Sequence, residues 1–136
     1  MIKLKKLTQV KEAEIMPLYR EAGWKNYVSQ PEMLMASYLN SLFILGAYDE
    51  DQLVGVIRVV GDGYSIIYIQ DLIVSKSYQN QGIGKKLVEK VLHTFEDVYQ
   101  KVLLTDRDPK LMHFYSSLGF VADEEVNCIS FIQMKR

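Results

Sequence analysis

Three observations in the sequence predict an α+β fold in one domain. Short stretches such as "IKLKKL" (2 to 7) and "LVGVIRVVG" (53 to 61) alternate, or run continuously apolar, at strand length. Other stretches place apolar residues every three or four positions, the repeat of an amphipathic helix. The two kinds interleave as β-α-α-β-β-β-α-β-α-β-β along 136 residues, a length that suits a single core.

Each element has its own local reason. In 2 to 7, Ile2 and Leu4 alternate with Lys3 and Lys5, as in a half-buried strand. Ile15, Leu18, Tyr19 and Ala22 then share a helical face that Gly23 stops, with Pro17 as a possible kink. Ser29 and Glu32 have the spacing of a capping box, which predicts a second helix running to about Leu39. Residues 42 to 49 and 53 to 61 read as strands joined by the polar turn "EDQ", and "GDG" (61 to 63) leads into a long strand at 64 to 74. Ile83, Leu87, Val91 and Phe95 recur every four residues, with Lys85, Lys86, Glu89, Lys90 and Glu96 on the other side. Residues 101 to 106 read as a short buried strand. Asp108 and Pro109 suit an N-cap and first turn, ahead of a helix striped by Leu111, Phe114, Tyr115 and Leu118 and ended by Gly119. "FVADE" (120 to 124) and "NCISFIQMKR" (127 to 136) are expected to close the chain as strands.

Composition narrows the function classes. The net charge is −1, with 49% apolar and 24% charged residues, which argues against nucleic acid or an anionic membrane as partner. One cysteine, Cys128, permits no intrachain disulfide and no paired-cysteine zinc site, and no cluster has metal-ligand spacing, so no metal is expected. No signal-peptide pattern is evident and no apolar run approaches the roughly 20 residues of a membrane span, so a cytoplasmic location is expected.

The sharpest feature is "QNQGIG" (79 to 84), placed between the long strand and the amphipathic helix. A helix N-terminus presents unpaired N–H groups and partial positive charge, and glycine lets an anion approach them closely. Two glycines alone also suit a plain tight turn. The loop matches neither nucleotide fingerprint: it is not G-x-x-x-x-G-K-[ST], and Leu87 breaks G-x-G-x-x-G. It does resemble the Q/R-x-x-G-x-G/A pyrophosphate loop of the GCN5-related N-acetyltransferase (GNAT) superfamily. "FYSSLGF" (114 to 120) is similar to that family's F-Y-x-x-L-G-F segment, and the element order is that of its fold, so the resemblance spans essentially the whole chain.

That resemblance implies a mixed, mostly antiparallel sheet flanked by helices, with 1 to 136 forming a single N-acetyltransferase domain. It implies acetyl-CoA as co-substrate, lying in a gap between the strands at 64 to 74 and 101 to 106. The backbone of Leu72, Ile73 and Val74 would pair with the pantetheine arm. The N–H groups of Gln79, Asn80, Gln81, Gly82, Ile83 and Gly84 would hold the pyrophosphate, with Lys85 as a further donor. Tyr115 matches the family tyrosine that protonates the departing thiolate; without the motif it would read as a core aromatic. The sequence departs from the family at Gln70, where many members carry a glutamate nine residues before the loop, and at Asp108, where many carry an asparagine. Asp71 is adjacent, but period-2 alternation points it to the opposite sheet face from Gln70. Asp71 acting through a bulge or water, Gln70 orienting a water relay, and an amine that arrives neutral all remain open. So does a purely structural Asp71.

In the family the acceptor site is built from the first two helices and their loop, which here holds Trp24 and Tyr27. They would line an apolar or cation-binding pocket, or cap the core. The implied activity is acetyl-CoA-dependent transfer to a primary amine, by default a small molecule, directly in a ternary complex. Peptide or protein amines as acceptors, and a non-catalytic acyl-CoA sensor, are the alternatives. The assembly expected is a monomer or homodimer.

Overall fold

The computed structural model describes residues 1–135, apart from the side chains of Asp123 and Glu124. Two compact units make up the chain, Met1–Leu104 and Thr105–Arg136.

The first unit is a five-stranded sheet in sequential order: β1 (Ile2–Lys6), β2 (Phe43–Asp49), β3 (Gln52–Gly61), β4 (Ile66–Val74) and β5 (Gln100–Leu103). Neighbours are antiparallel except β4 and β5, which are parallel. A parallel pair needs a crossover, and α4 (Ile83–Thr94) supplies it. Ile83, Leu87 and Val91 are buried while the lysines and glutamates between them face water, as the four-residue repeat predicts.

Helices cover both faces of the sheet. On one, Ile15, Met16, Leu18 and Tyr19 of α1 (Glu12–Ala22) and Leu34 and Tyr38 of α3 (Pro31–Leu39) pack against Ile44, Val56 and Ile73. On the other, Phe43 meets Phe95 edge-on with ring centroids 5.3 Å apart, and Gly55 lies against Ile83 of α4. Seven consecutive β3 residues, Leu53 through Val59, are therefore buried, which explains why that strand reads as a continuous apolar run. α1 runs unbroken through the exposed Pro17 and stops at Gly23, whose left-handed φ of 77° returns its N–H to Arg20.

The helical region differs from expectation in two ways. A short extra helix, α2 (Lys25–Val28), precedes α3, and the Ser29/Glu32 capping box does not form. Gln30 is the N-cap because Pro31, lacking an N–H and fixed at a helical φ, takes the first helical position. Ser29 Oγ instead donates to Asn26 O at 3.4 Å.

β4 corrects a second expectation. Val59 pairs with Ile69 and Arg58 with Asp71, so Gln70 is an extra residue with no partner on β3. Such a bulge breaks the two-residue alternation. Gln70 and Asp71 consequently turn to the same helical layer: Gln70 Nε2 donates to Tyr27 Oη at 3.2 Å, and Tyr19 Oη donates to Asp71 Oδ2 at 2.7 Å.

The second unit holds α5 (Pro109–Ser117) and α6 (Asp123–Val126). Asp108 caps α5 as its position predicts, its Oδ1 accepting from the Lys110 N–H at 2.9 Å. The two closing strands are not found among the described residues. Part of 120 to 124 enters α6, and 127 to 135 carry no strand pairing; Arg136 lies outside the described residues. Alternation expresses a preference for one face, but a strand also needs a neighbour to complete its ladder. Ile129 and Phe131 are 71% and 91% exposed, so this segment has not buried the side chains that suggested a strand. Among the described residues no helix is long and apolar enough to cross a membrane.

Arg58 and Asp71 are the two buried charged residues of the sheet, 5% and 2% exposed, with Arg58 Nε donating to Asp71 Oδ2 at 2.8 Å. Removing one partner strands the other charge away from water. Asp71→Ala should therefore cost about 3–5 kcal/mol in chemical denaturation. Replacing both together, as Arg58→Met with Asp71→Leu, should recover much of that loss. A cost below about 1 kcal/mol for the single change would show that the pair does not hold the sheet as described.

Candidate active site

Gly82 is where the loop of 79 to 84 turns into α4. Its φ of 81° and ψ of 8° are left-handed, and a Cβ placed there would meet nothing within 4 Å. Asn80 is also left-handed, at φ 64°. α4 has no side-chain cap and no acidic residue in its first turn, so its leading N–H groups carry the helix's partial positive charge without a side-chain partner. Lys85 and Lys86 are exposed beside them. Open approach, unpaired donors and positive charge fit a diphosphate. The glutamine side chains serve the loop itself: Gln79 Nε2 donates to Val74 O at 3.0 Å and Gln81 Nε2 to Ser77 O at 3.4 Å.

β4 leads into this loop with one edge unpaired along its second half. β5 pairs only with Ile66 through Ile69, ending at Leu103 opposite Ile69. On the other side β3 continues to pair with Leu72, Ile73 and Val74. Beyond Ile69 the β5-side edge of β4 is thus open to an extended ligand that can add as a strand. The bulge at Gln70 begins where the pairing with β5 ends.

Over that bulge lies an aromatic cluster. Tyr19 packs edge-on against Trp24, Tyr27 and Tyr38, with centroids 5.6, 5.3 and 6.2 Å away. Trp24 and Tyr27, half-buried, lie 6.2 Å apart and complete the wall. Beneath it runs a buried polar chain. Tyr19 gives its one hydroxyl proton to Asp71, so Tyr38, whose Oη is 2.7 Å from that of Tyr19, is the donor in their bond. Arg58 Nη1 donates to Ser41 Oγ at 3.3 Å, and its guanidinium lies 5.4 Å from the centre of the Tyr38 ring. Burial, then the neighbouring Tyr38 and Asp71, holds the Tyr19 hydroxyl far above the ordinary tyrosine range, so it remains a donor. Burial lowers Arg58, but Asp71 more than offsets it, so the guanidinium is held above its usual range.

In the second unit Tyr115 lies half-buried on α5, edge-on to Phe114 at 5.0 Å and to Phe120 at 5.9 Å. Burial raises its phenol above the ordinary value, so it stays protonated at neutral pH.

Gln70, Asp71, Trp24 and Tyr27 are thus brought together, while Gly82 and the open edge of Leu72–Val74 form a separate, backbone-built region of the same unit. Arg58 and Tyr38 were not singled out from the sequence, and Tyr19 was read only as part of a helical face. A signal for the ion pair was present: Arg58 and Asp71 are lone charges in adjacent, otherwise apolar strands, and a buried charge requires a partner.

Residues 5–136 match the acetyltransferase (GNAT) domain family, and the chain belongs to it. Members of that family are acyltransferases that use acetyl-CoA. An acetyltransferase of the GNAT family from Streptococcus pneumoniae TIGR4 has the same fold, with a TM-score of 0.91 at 42% identity, covering 100% of this chain and 99% of that one. Histone acetyltransferase TAP1 of Glycine max is 28% identical over 126 residues, 82% of this chain and 52% of that protein. An uncharacterized ycf52-like N-acetyltransferase of Prochlorococcus marinus is 28% identical over 123 residues, 87% of this chain and 67% of that protein. The chain therefore spans about half the length of the first curated relative and two thirds of the second.

Gly82→Asp puts a carboxylate where the anion would rest. It should weaken CoA binding, measured by calorimetry, by about 100-fold or more, because a lost charge-assisted bond and an added like charge together exceed about 2.7 kcal/mol. Gly82→Ala adds only a methyl group in open space and should cost mainly the left-handed strain, about 1–2 kcal/mol of stability. Unchanged CoA affinity in Gly82→Asp would remove the loop from the site.

Proposed function

We propose that this protein transfers the acetyl group of acetyl-CoA to a small primary amine, directly and within a ternary complex. The observation that carries this reading is the left-handed Gly82 at an uncapped helix start, directly following a strand whose edge opens beyond Ile69. The N–H groups of Gln79 to Gly84, with Lys85, bind the pyrophosphate, and the backbone of Leu72, Ile73 and Val74 pairs with the pantetheine arm. Thioester binding brings an activated acetyl group. The chain's task is then to orient the two reactants and to manage protons.

In the proposed step the amine lone pair forms a bond to the acetyl carbon, the carbon–sulfur bond breaks, and sulfur leaves with the electron pair. Tyr115 is assigned as the acid that gives sulfur its proton and regains one from the acylated nitrogen. Support comes from the "FYSSLGF" motif and from burial, which keeps the phenol protonated and able to donate. Trp24 and Tyr27 form the wall that receives the acceptor. Asp71, shut in with Arg58 and Tyr19, acts by positioning that wall. A peptide amine is the second reading, favoured by the name of the Glycine max relative, a histone acetyltransferase.

The test is release of CoA from acetyl-CoA, followed with a thiol reagent. The acceptors span arylalkylamines, polyamines, amino sugars, aminoglycosides and lysine or N-terminal peptides, with a no-amine control. Release above the control with a small amine is the expected result. Release only with peptides would establish the second reading, and acetyl-CoA binding without release would make the protein a sensor. Tyr115→Phe should lower kcat by about 10²–10⁴ while changing acetyl-CoA affinity little, since the phenol matters mainly as the thiolate departs. An unchanged kcat would return Tyr115 to a packing role.

A further inference from the structure

Resting on that reading, we propose that the β4 bulge selects its acceptor by basicity: it takes a primary amine with an aromatic body as the free base, not as the ammonium ion. Gln70 and the Tyr27 hydroxyl define this preference, and Asp71 is withheld from it.

The argument begins with proton balance. A neutral amine must lose one proton as its nitrogen is acylated, and the departing thiolate needs one. Transfer therefore closes without any net base. An ammonium ion carries one proton more, and that proton must leave before the nitrogen has a lone pair to attack with. An enzyme that accepts ammonium ions needs a base, most simply a carboxylate or imidazole, to receive it.

The two polar residues of the bulge do not offer such a group. Gln70 is exposed and neutral, and its amide nitrogen donates to Tyr27 Oη at 3.2 Å. The Tyr27 proton then points away from Gln70, free for a lone pair; a free amine has one and an ammonium has none. Asp71 is 2% exposed, and its Oδ2 already accepts from both Tyr19 and Arg58. To take a proton from an acceptor it would have to leave a buried guanidinium unpaired, at a cost of several kcal/mol.

The groups around Asp71 and Gln70 come from every packed element. They are Tyr19 of α1, Tyr27 of α2, Tyr38 of α3, Arg58 of β3 and Tyr68 of β4. Burial holds Tyr19, Tyr38 and Tyr68 above the ordinary tyrosine range, and Arg58 stays charged. None of these four changes charge near neutral pH, so they leave the acceptor's own ionisation to govern the rate. The carboxylate of Glu21 on α1 is engaged by the Lys76 N–H. Glu32 sits in the first turn of α3, about 9 Å along the axis from Tyr38. The half-buried Trp24 and Tyr27, backed by the buried Tyr19, suit an aromatic body on the acceptor.

The test uses 2-phenylethylamine and its β-fluoro and β,β-difluoro analogues, which keep nearly one shape while each fluorine lowers the pKa of the amine. For each, kcat/KM is measured against pH at saturating acetyl-CoA. The expected result is a rise of about tenfold per pH unit up to the acceptor's own pKa and a plateau above it, with the break moving down through the series. A break at one shared pH for all three would reveal an enzyme base and overturn the proposal. Turnover of other amines but none of these three would overturn its substrate class. No CoA release with any acceptor, peptides included, would sink the acetyltransferase reading itself, a distinct failure. In Gln70→Glu the three breaks should converge, because one carboxylate then accepts the proton from each acceptor. Breaks that stay apart in that variant would remove Gln70 from the selection.

Discussion

A buried ion pair between adjacent strands, Arg58 on β3 and Asp71 on β4, is the constraint around which the rest of the first unit is arranged. Burying either charge alone would be prohibitive, so each fixes the other. Their pairing sets the register of β3 against β4 at the point where the register shifts, and the extra residue is Gln70. Tyr19 of α1 and Tyr38 of α3 complete the polar chain, so the same few atoms tie two helices to the sheet. Tyr19 in turn supports Trp24 and Tyr27 edge-on, and through them the ion pair shapes a surface it does not itself reach.

The unit divides its work between backbone and side chains. The region around Gly82 and the open edge of β4 offers main-chain donors and acceptors, which suit a ligand common to a whole family of acyltransferases. Such a surface tolerates many sequences, provided residues that accept a left-handed backbone, as Asn80 and Gly82 do, remain there. The bulge and its aromatic wall present side chains instead, which under the proposed function would distinguish one acceptor from another.

Placing an amide rather than a carboxylate at the bulge has an energetic logic. A second carboxylate beside Asp71 would add a like charge near a site whose single guanidinium is already committed. A neutral Gln70 avoids that repulsion and still supplies a hydrogen bond that orients Tyr27. Stability of the ion pair and the loss of a strong base are, on this view, two consequences of one choice of residue.

What the sequence determined by itself is everything that depends on neighbours along the chain. The four-residue repeat of α4, the cap at Asp108, the stop at Gly23 and the glycine loop all follow from side-chain periodicity or from one residue's φ, so they were legible and the family with them. The start of α3 was local as well, since Pro31, next in the chain to Gln30, takes the first helical position in place of the cap that Ser29 and Glu32 had the spacing for. Tertiary structure decided what depends on a partner. The bulge at Gln70 exists only relative to β3, and with it the turn of Asp71 toward Tyr19 that simple alternation placed on the other face. Residues 127 to 135 had the apolar content of a strand without the paired neighbour that makes one. A sequence records which face a residue prefers, whereas hydrogen-bond register and charge pairing are settled between segments distant in the chain.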